Sequence, residues 1–125
     1  MNFISCKLEK GSEGLYIQIT DDIVLTIPEE KKAALFNNVN KTIILGIRPE
    51  HISENKQKHS LKINAKLNIV EPLGMETMVY FSINNSQVCG KVLPNHSIQN
   101  GKTITLYFDS LKFYFIDPET DLVLS

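Results

Sequence analysis

Tryptophan is absent from this 125-residue chain, arginine occurs once, cysteine twice and alanine three times. Three alanines against 29 β-branched residues (15 Ile, 7 Val, 7 Thr) argue against packed helices and for half-buried pleated strands. Charge of either sign is also missing in excess. Thirteen Lys plus Arg against 14 Asp plus Glu leave a net charge of −1, so no general attraction draws the chain to nucleic acid, anionic membrane or acidic substrates. The 42% apolar content is divided into short runs, far below the roughly 18 residues of a membrane span. Met1-Asn2-Phe3 has neither the charged nor the apolar region of a targeting signal. The length fits one domain, 1–125, with a core of its own.

Reactive chemistry is equally sparse. Cys6 and Cys89 stand 83 positions apart with no C-x-x-C and no alternating Cys/His spacing, so two reduced thiols are expected rather than a zinc site or disulfide framework. His51, His59 and His96 show no i, i+4 pairing, and no metal is expected. The six glycines occur singly, whereas a phosphate cradle needs them clustered so that successive N–H groups face one anion. Without G-x-S-x-G, H-E-x-x-H or a G-x-x-x-x-G-K-S/T loop, the chain alone is expected not to be an enzyme. No catalytic, cofactor-binding or metal residue is assigned.

A period of two predicts strands near 3–9, 14–20, 22–28, 42–48, 61–71, 76–84, 86–93, 102–109 and 112–117. Gly11-Ser12-Glu13-Gly14 and Asn84-Asn85-Ser86 read as hairpin turns, because Gly and Asn tolerate positive φ. One short helix is expected near 28–38: Pro28 opens it, Glu29 and Glu30 complement its positive end, and Asn37-Asn38 close it. Lys41-Thr42-Ile43-Ile44-Leu45 returns as Lys102-Thr103-Ile104-Thr105-Leu106. Upstream of each copy a strand pair ends in apolar-Pro, at Ile27-Pro28 and at Leu93-Pro94. The expected fold is therefore all-β, with small OB-like barrels built from two pseudo-repeated halves, about 1–52 and 61–117. The polar stretch His51 to Ser60 reads as the loop between them.

Two segments break the pattern. In Leu45-Gly46-Ile47-Arg48-Pro49-Glu50-His51-Ile52 an apolar strand runs into charged residues at a proline, which forces Arg48 extended and starts a turn at Glu50 and His51. Three polar side chains are thus presented at one rim. The only guanidinium of the chain either pairs with Glu50 or Glu71 of its own domain or faces a partner. In Val70-Glu71-Pro72-Leu73-Gly74-Met75-Glu76-Thr77, two glutamates bracket a Pro/Gly turn. Acid/base work needs a cleft that drives their pKa values apart, and solvated carboxylates are the expectation.

Met1-Asn2-Phe3, L-G-I-R-P-E-H-I at Leu45 to Ile52, V-E-P-L-G-M-E-T at Val70 to Thr77, and Y-F-D…F-I-D-P-E-T at Tyr107 to Thr120 occur in that order. Together they resemble the C-terminal regulatory (TOBE or OB-like) domain of ABC ATPases of the maltose and glycerol-3-phosphate importer type, over essentially the whole chain. The resemblance implies an ATPase cassette upstream of Met1, with ATP and Mg bound there and not in this chain. It implies pairing with a second copy across a two-fold axis, holding the cassettes together, and attachment to membrane subunits on the cytoplasmic face. In some relatives a cytosolic regulator docks near the same segments. Carried over by position, Phe3, Gly46, Arg48, Glu50 and His51 become candidate interface or regulatory residues. The transported carbohydrate leaves no mark on these residues.

Two other functions are weighed against this one. An oxyanion sensor needs convergent N–H groups and Ser/Thr at a barrel interface, and no cluster marks one. A single-strand nucleic-acid binder would use the aromatics Phe81, Tyr107, Phe108, Phe113, Tyr114 and Phe115 to stack bases. With one arginine to track a phosphate backbone, those rings are expected to fill the core or a dimer seam.

Overall fold

Ile4, Cys6 and Leu8 are buried and alternate with exposed Phe3, Ser5 and Lys7, and this period of two forms strand β1 (Asn2–Gly11). The computed structural model describes residues 1–124 and falls into two compact units. One holds Phe3–Gly46 and 114–124, the other Met1–Asn2 and Ile47–Phe113.

In the first unit, β1 turns back into β2 (Gly14–Thr20) through a tight hairpin in which Gly11 faces Gly14. Gly14 has a φ of 119°, a conformation that a side chain would strain. β3 (Ile23–Thr26) follows, then helix α1 (Glu29–Leu35) and a single 3-10 turn, Phe36–Asn38. Pro28 caps the helix without a side-chain hydrogen bond, Glu29 and Glu30 fill its first turn, and Leu35 anchors it in the core with no exposure. Full burial of such a side chain contributes about 1.5–3 kcal/mol, enough to hold a helix too short to persist alone. Asn40, at a φ of 69°, turns the chain into β4 (Thr42–Ile47). With β11 (Tyr114–Ile116) the sheet order is β11-β4-β1-β2-β3.

The second unit holds two three-stranded sheets: β5 (Ile52–Ser53), β10 (Thr103–Asp109) and β6 (Ser60–Lys66) in one, and β7 (Ile69–Pro72), β8 (Thr77–Ile83) and β9 (Ser86–Val92) in the other. The stretch expected as one strand over 61–71 is two strands. At Leu67 its N–H donates to Lys102 O, and at Asn68 to Tyr80 O, so the chain changes partners from β10 to β8 within one residue. Asn84 and Asn85 take φ values of 50° and 63° in the β8–β9 turn, the twist a two-residue hairpin requires. Phe81 and Phe108 meet edge to face at 6.2 Å in the core.

The fold is all-β with one short helix, as the composition implied. β4 and β10 each begin one residue after Lys41 and Lys102, and each has a neighbour on both sides in its sheet. Their outer neighbours are exchanged along the chain: β5 follows β4 but pairs with β10, and β11 follows β10 but pairs with β4. β5 lies in the stretch expected to be loop. At two residues it is too short for alternation to reveal.

Candidate functional site

Three consecutive residues of β9 collect the segments on which the sequence is most distinctive. Cys89 comes first. The Asn2 side chain lies along it as a strand would: Asn2 Nδ2 donates to Cys89 O at 2.8 Å, and Cys89 N–H donates to Asn2 Oδ1 at 2.9 Å. Asn2 is buried to 7% exposure, and both hydrogen-bonding ends of its amide are satisfied. Gly90 comes next. A Cβ built there would lie 2.8 Å from Ile52 Cγ2 and 3.2 Å from Ile52 O, so the absence of a side chain is what lets the chain after the proline sit on β9. Lys91 follows, 3.7 Å from Glu76.

Local geometry at the proline agrees with its chemistry. Arg48 is extended, φ −78° and ψ 147°, and Pro49–His51 form one 3-10 turn. His51 N–H donates to Arg48 O at 3.0 Å, and Ile52 N–H to Pro49 O. Ile52 then buries completely. The turn is thus pinned at its exit and presents Arg48 and Glu50 to solvent. A backbone hydrogen bond at Glu50 pulls its carboxyl below the ordinary range. The charges of Lys91, His51 and Arg48 add to this, and partial desolvation opposes it.

Arg48, Glu50 and His51 are therefore brought together at one turn of the second unit. Among the described residues Arg48 forms no ion pair, with Glu50, Glu71 or any other carboxylate. His51 is half-buried, and its Nδ1 has no hydrogen-bond partner. Phe3 and Gly46 belong to the other unit. Phe3 is 54% exposed next to the anchored Asn2, and Gly46 is buried in β4 opposite Tyr114. Sequence reasoning marked Asn2 only as part of the Met1-Asn2-Phe3 segment and missed Gly90 and Lys91, which no local motif flags.

Glu71 and Glu76 stay apart from any cleft. Glu71 is exposed and accepts a 3.5 Å hydrogen bond from the Tyr80 hydroxyl, and Glu76 meets Lys91. Burial pushes the Cys6 thiol up to about 12. Cys89 is raised mainly by desolvation, against the lowering effect of a hydrogen bond with Tyr80. Phe81, Phe108, Phe113 and Phe115 are at most 2% exposed, which removes them as stacking platforms. Among the described residues no three His, Cys, Asp or Glu side chains gather as a metal site, and no helix is long and apolar enough to cross a membrane.

The structure is an all-β chain with a charged turn seated on a strand. Residues 45–114 match the TOBE domain family, residues 1–52 match the MalK OB fold domain, and the chain belongs to the TOBE domain family. It is similar to the oligosaccharides import ATP-binding protein MsmX of Bacillus subtilis, 35% identical over 98% of this chain and 34% of that protein. It also resembles the multiple sugar-binding transport ATP-binding protein MsmK of Streptococcus mutans, 29% identical over 99% of this chain and 33% of the relative. A third relative is the uncharacterized ABC transporter ATP-binding protein YcjV of Escherichia coli O157:H7, 34% identical over 85% of this chain and 30% of that protein. The chain spans about a third of the length of these curated relatives.

Proposed function

We propose that this chain is the C-terminal regulatory domain of the ATP-binding subunit of a carbohydrate ABC importer. It tethers paired ATPase cassettes through contact with a second copy and offers a docking surface to a cytosolic regulator. The carrying observation is the assembly on β9: Asn2 bonded at Cys89 and Ile52 packed on Gly90 hold an exposed charged turn against this strand. A rim held this way loses little conformational freedom when a partner arrives. The names of MsmX and MsmK support the carbohydrate importer. In this reading ATP and Mg belong to the cassette, the chain turns over no nucleotide, and the subunit works at the cytoplasmic face beside the membrane subunits.

The experiment is deletion. In the cassette-bearing subunit, sedimentation velocity without nucleotide should show a dimer that is lost when these 125 residues are removed, while ATP binding by the cassette persists. Unchanged dimerisation after deletion overturns the tethering role.

A further inference from the structure

The edges of the sheets are not treated alike. At β9 the outer edge is taken by the Asn2 side chain. The Val70 N–H of β7 donates to Asn100 Oδ1 at 2.8 Å. Residues 122–124 cover β11, with Leu124 N–H donating to Phe115 O at 2.6 Å and Ile116 bridging Val123. β3 has no such cover. It ends the sheet order, and its register shows which groups are left over. Ile27 N–H donates to Leu15 O at 2.9 Å, and Leu25 lies opposite Ile17. In an antiparallel ladder this turns the amides and carbonyls of Leu25 and Ile27 toward β2 and those of Val24 and Thr26 outward. Among the described residues those four outward groups have no hydrogen-bond partner.

Residues beside this edge line a shallow groove of about 230 Å³, Tyr16, Val24 and Thr26 together with the β1–β2 turn, including Glu13. Val24 is 46% exposed. The volume suits one or two side chains of an extended peptide and is below that of ordinary small-molecule sites. Acidic residues outnumber lysines around the edge. Asp21 and Asp22 precede β3, Glu29 and Glu30 follow Pro28, and all four are exposed. The neighbouring lysines are engaged, Lys32 with Glu29 at 2.7 Å and Lys31 over the Phe115 ring at 5.6 Å.

We propose that the open edge of β3 is a docking site for an extended segment of another protein, apolar at alternate positions and flanked by Lys or Arg, added to the five-stranded sheet. Strand addition supplies affinity through main-chain hydrogen bonds and specificity through pockets for alternate side chains. Self-pairing is disfavoured, since antiparallel β3 strands would set Asp21 and Asp22 of one copy against Glu29 and Glu30 of the other. The surface is independent of the tethering role.

The test uses the full chain and a fluorescein-labelled peptide, Lys-Lys-Val-Thr-Val-Thr-Val-Lys-Lys, followed by anisotropy and by amide resonances of Val24 and Thr26. The basic peptide should bind and slow hydrogen exchange at those two amides. An analogue with Glu for every Lys, and one with N-methylated central peptide bonds, should each bind at least about tenfold more weakly, the latter through loss of one or two backbone hydrogen bonds. Val24→Pro, which deletes an outward N–H without breaking the β2 ladder, should weaken the basic peptide similarly. The probe analogues keep the test decisive if that variant does not fold. Equal binding of all three peptides, protection elsewhere, or a concentration-dependent dimer of the chain that buries Val24 overturns the proposal.

Discussion

Asn2 and Cys89, 87 positions apart, are joined by two hydrogen bonds of 2.8 and 2.9 Å that run in opposite directions. A single side chain thereby occupies the place of a neighbouring strand at the middle of β9. Asn2→Ala removes both bonds and leaves a part-buried N–H and C=O unsatisfied. The expected loss is about 2–3 kcal/mol, read from urea unfolding. Asn2→Asp replaces the donor with a carboxylate oxygen set against Cys89 O in a largely buried place, and should cost at least as much as Asn2→Ala at neutral pH. Indistinguishable midpoints for Asn2→Ala and the parent chain would show that the pair contributes nothing.

Gly90→Ala forces a methyl to 2.8 Å from Ile52 Cγ2. Destabilisation of about 1–3 kcal/mol is expected, with displacement of the Pro49–His51 turn visible as shifted Arg48 and Glu50 resonances. Ile52→Ala deletes the clashing Cγ2 but opens a cavity. The double variant should therefore cost less than the two single losses together, by at least about 0.5 kcal/mol. Strict additivity would place the clash elsewhere.

Because the carboxyl of Glu50 titrates lower in the folded protein, it stabilises the fold above its unfolded pKa. That contribution fades as pH falls through the folded value. Glu50→Gln should thus lose stability relative to the parent chain above the ordinary carboxyl value of 4.5, and the two curves should converge in stronger acid. Lys91→Met should shift the Glu50 carboxyl resonance titration upward. A titration unmoved by that change would exclude Lys91 as a contributor.

Thiol chemistry should separate the two cysteines. With its pKa near 12, Cys6 is uncharged at pH 8 and shielded as well, so alkylation by iodoacetamide awaits unfolding. Cys89 is half-exposed but also raised by desolvation, and should react slowly in the native state. Mass spectrometry of peptides after short exposure distinguishes them, and rapid native labelling of Cys6 would contradict its burial.

Arg48→Ala should change stability by less than about 0.5 kcal/mol, since the side chain is exposed and forms no ion pair among the described residues. In the cassette-bearing subunit the same variant should weaken association more than Lys56→Ala in the polar stretch. Equal, negligible effects of both on sedimentation would remove Arg48 from the rim.

Much of this architecture is written locally. Alternation at Ile4, Cys6 and Leu8, the turn residues Gly14, Asn84 and Asn85, and the Pro28 helix start each act within a few positions, and so could be read from the chain. The Arg48-Pro49 pair likewise announced its turn. The strand break at Leu67-Asn68, by contrast, depends on a change of hydrogen-bond partner far away in sequence. Asn2, Gly90 and Lys91 matter only because β9 comes to lie under the turn, and neither their identity nor their spacing carries that information.

The pairing of β4 with β11 also has a consequence for synthesis. A ribosome releases β1 to β4 long before Tyr114 emerges, and at about 5–20 residues per second the nascent chain waits several seconds with β4 lacking its outer neighbour. Truncation before Tyr114 should leave this strand permanently bare. Such a fragment is a candidate for chaperone capture rather than a smaller working module.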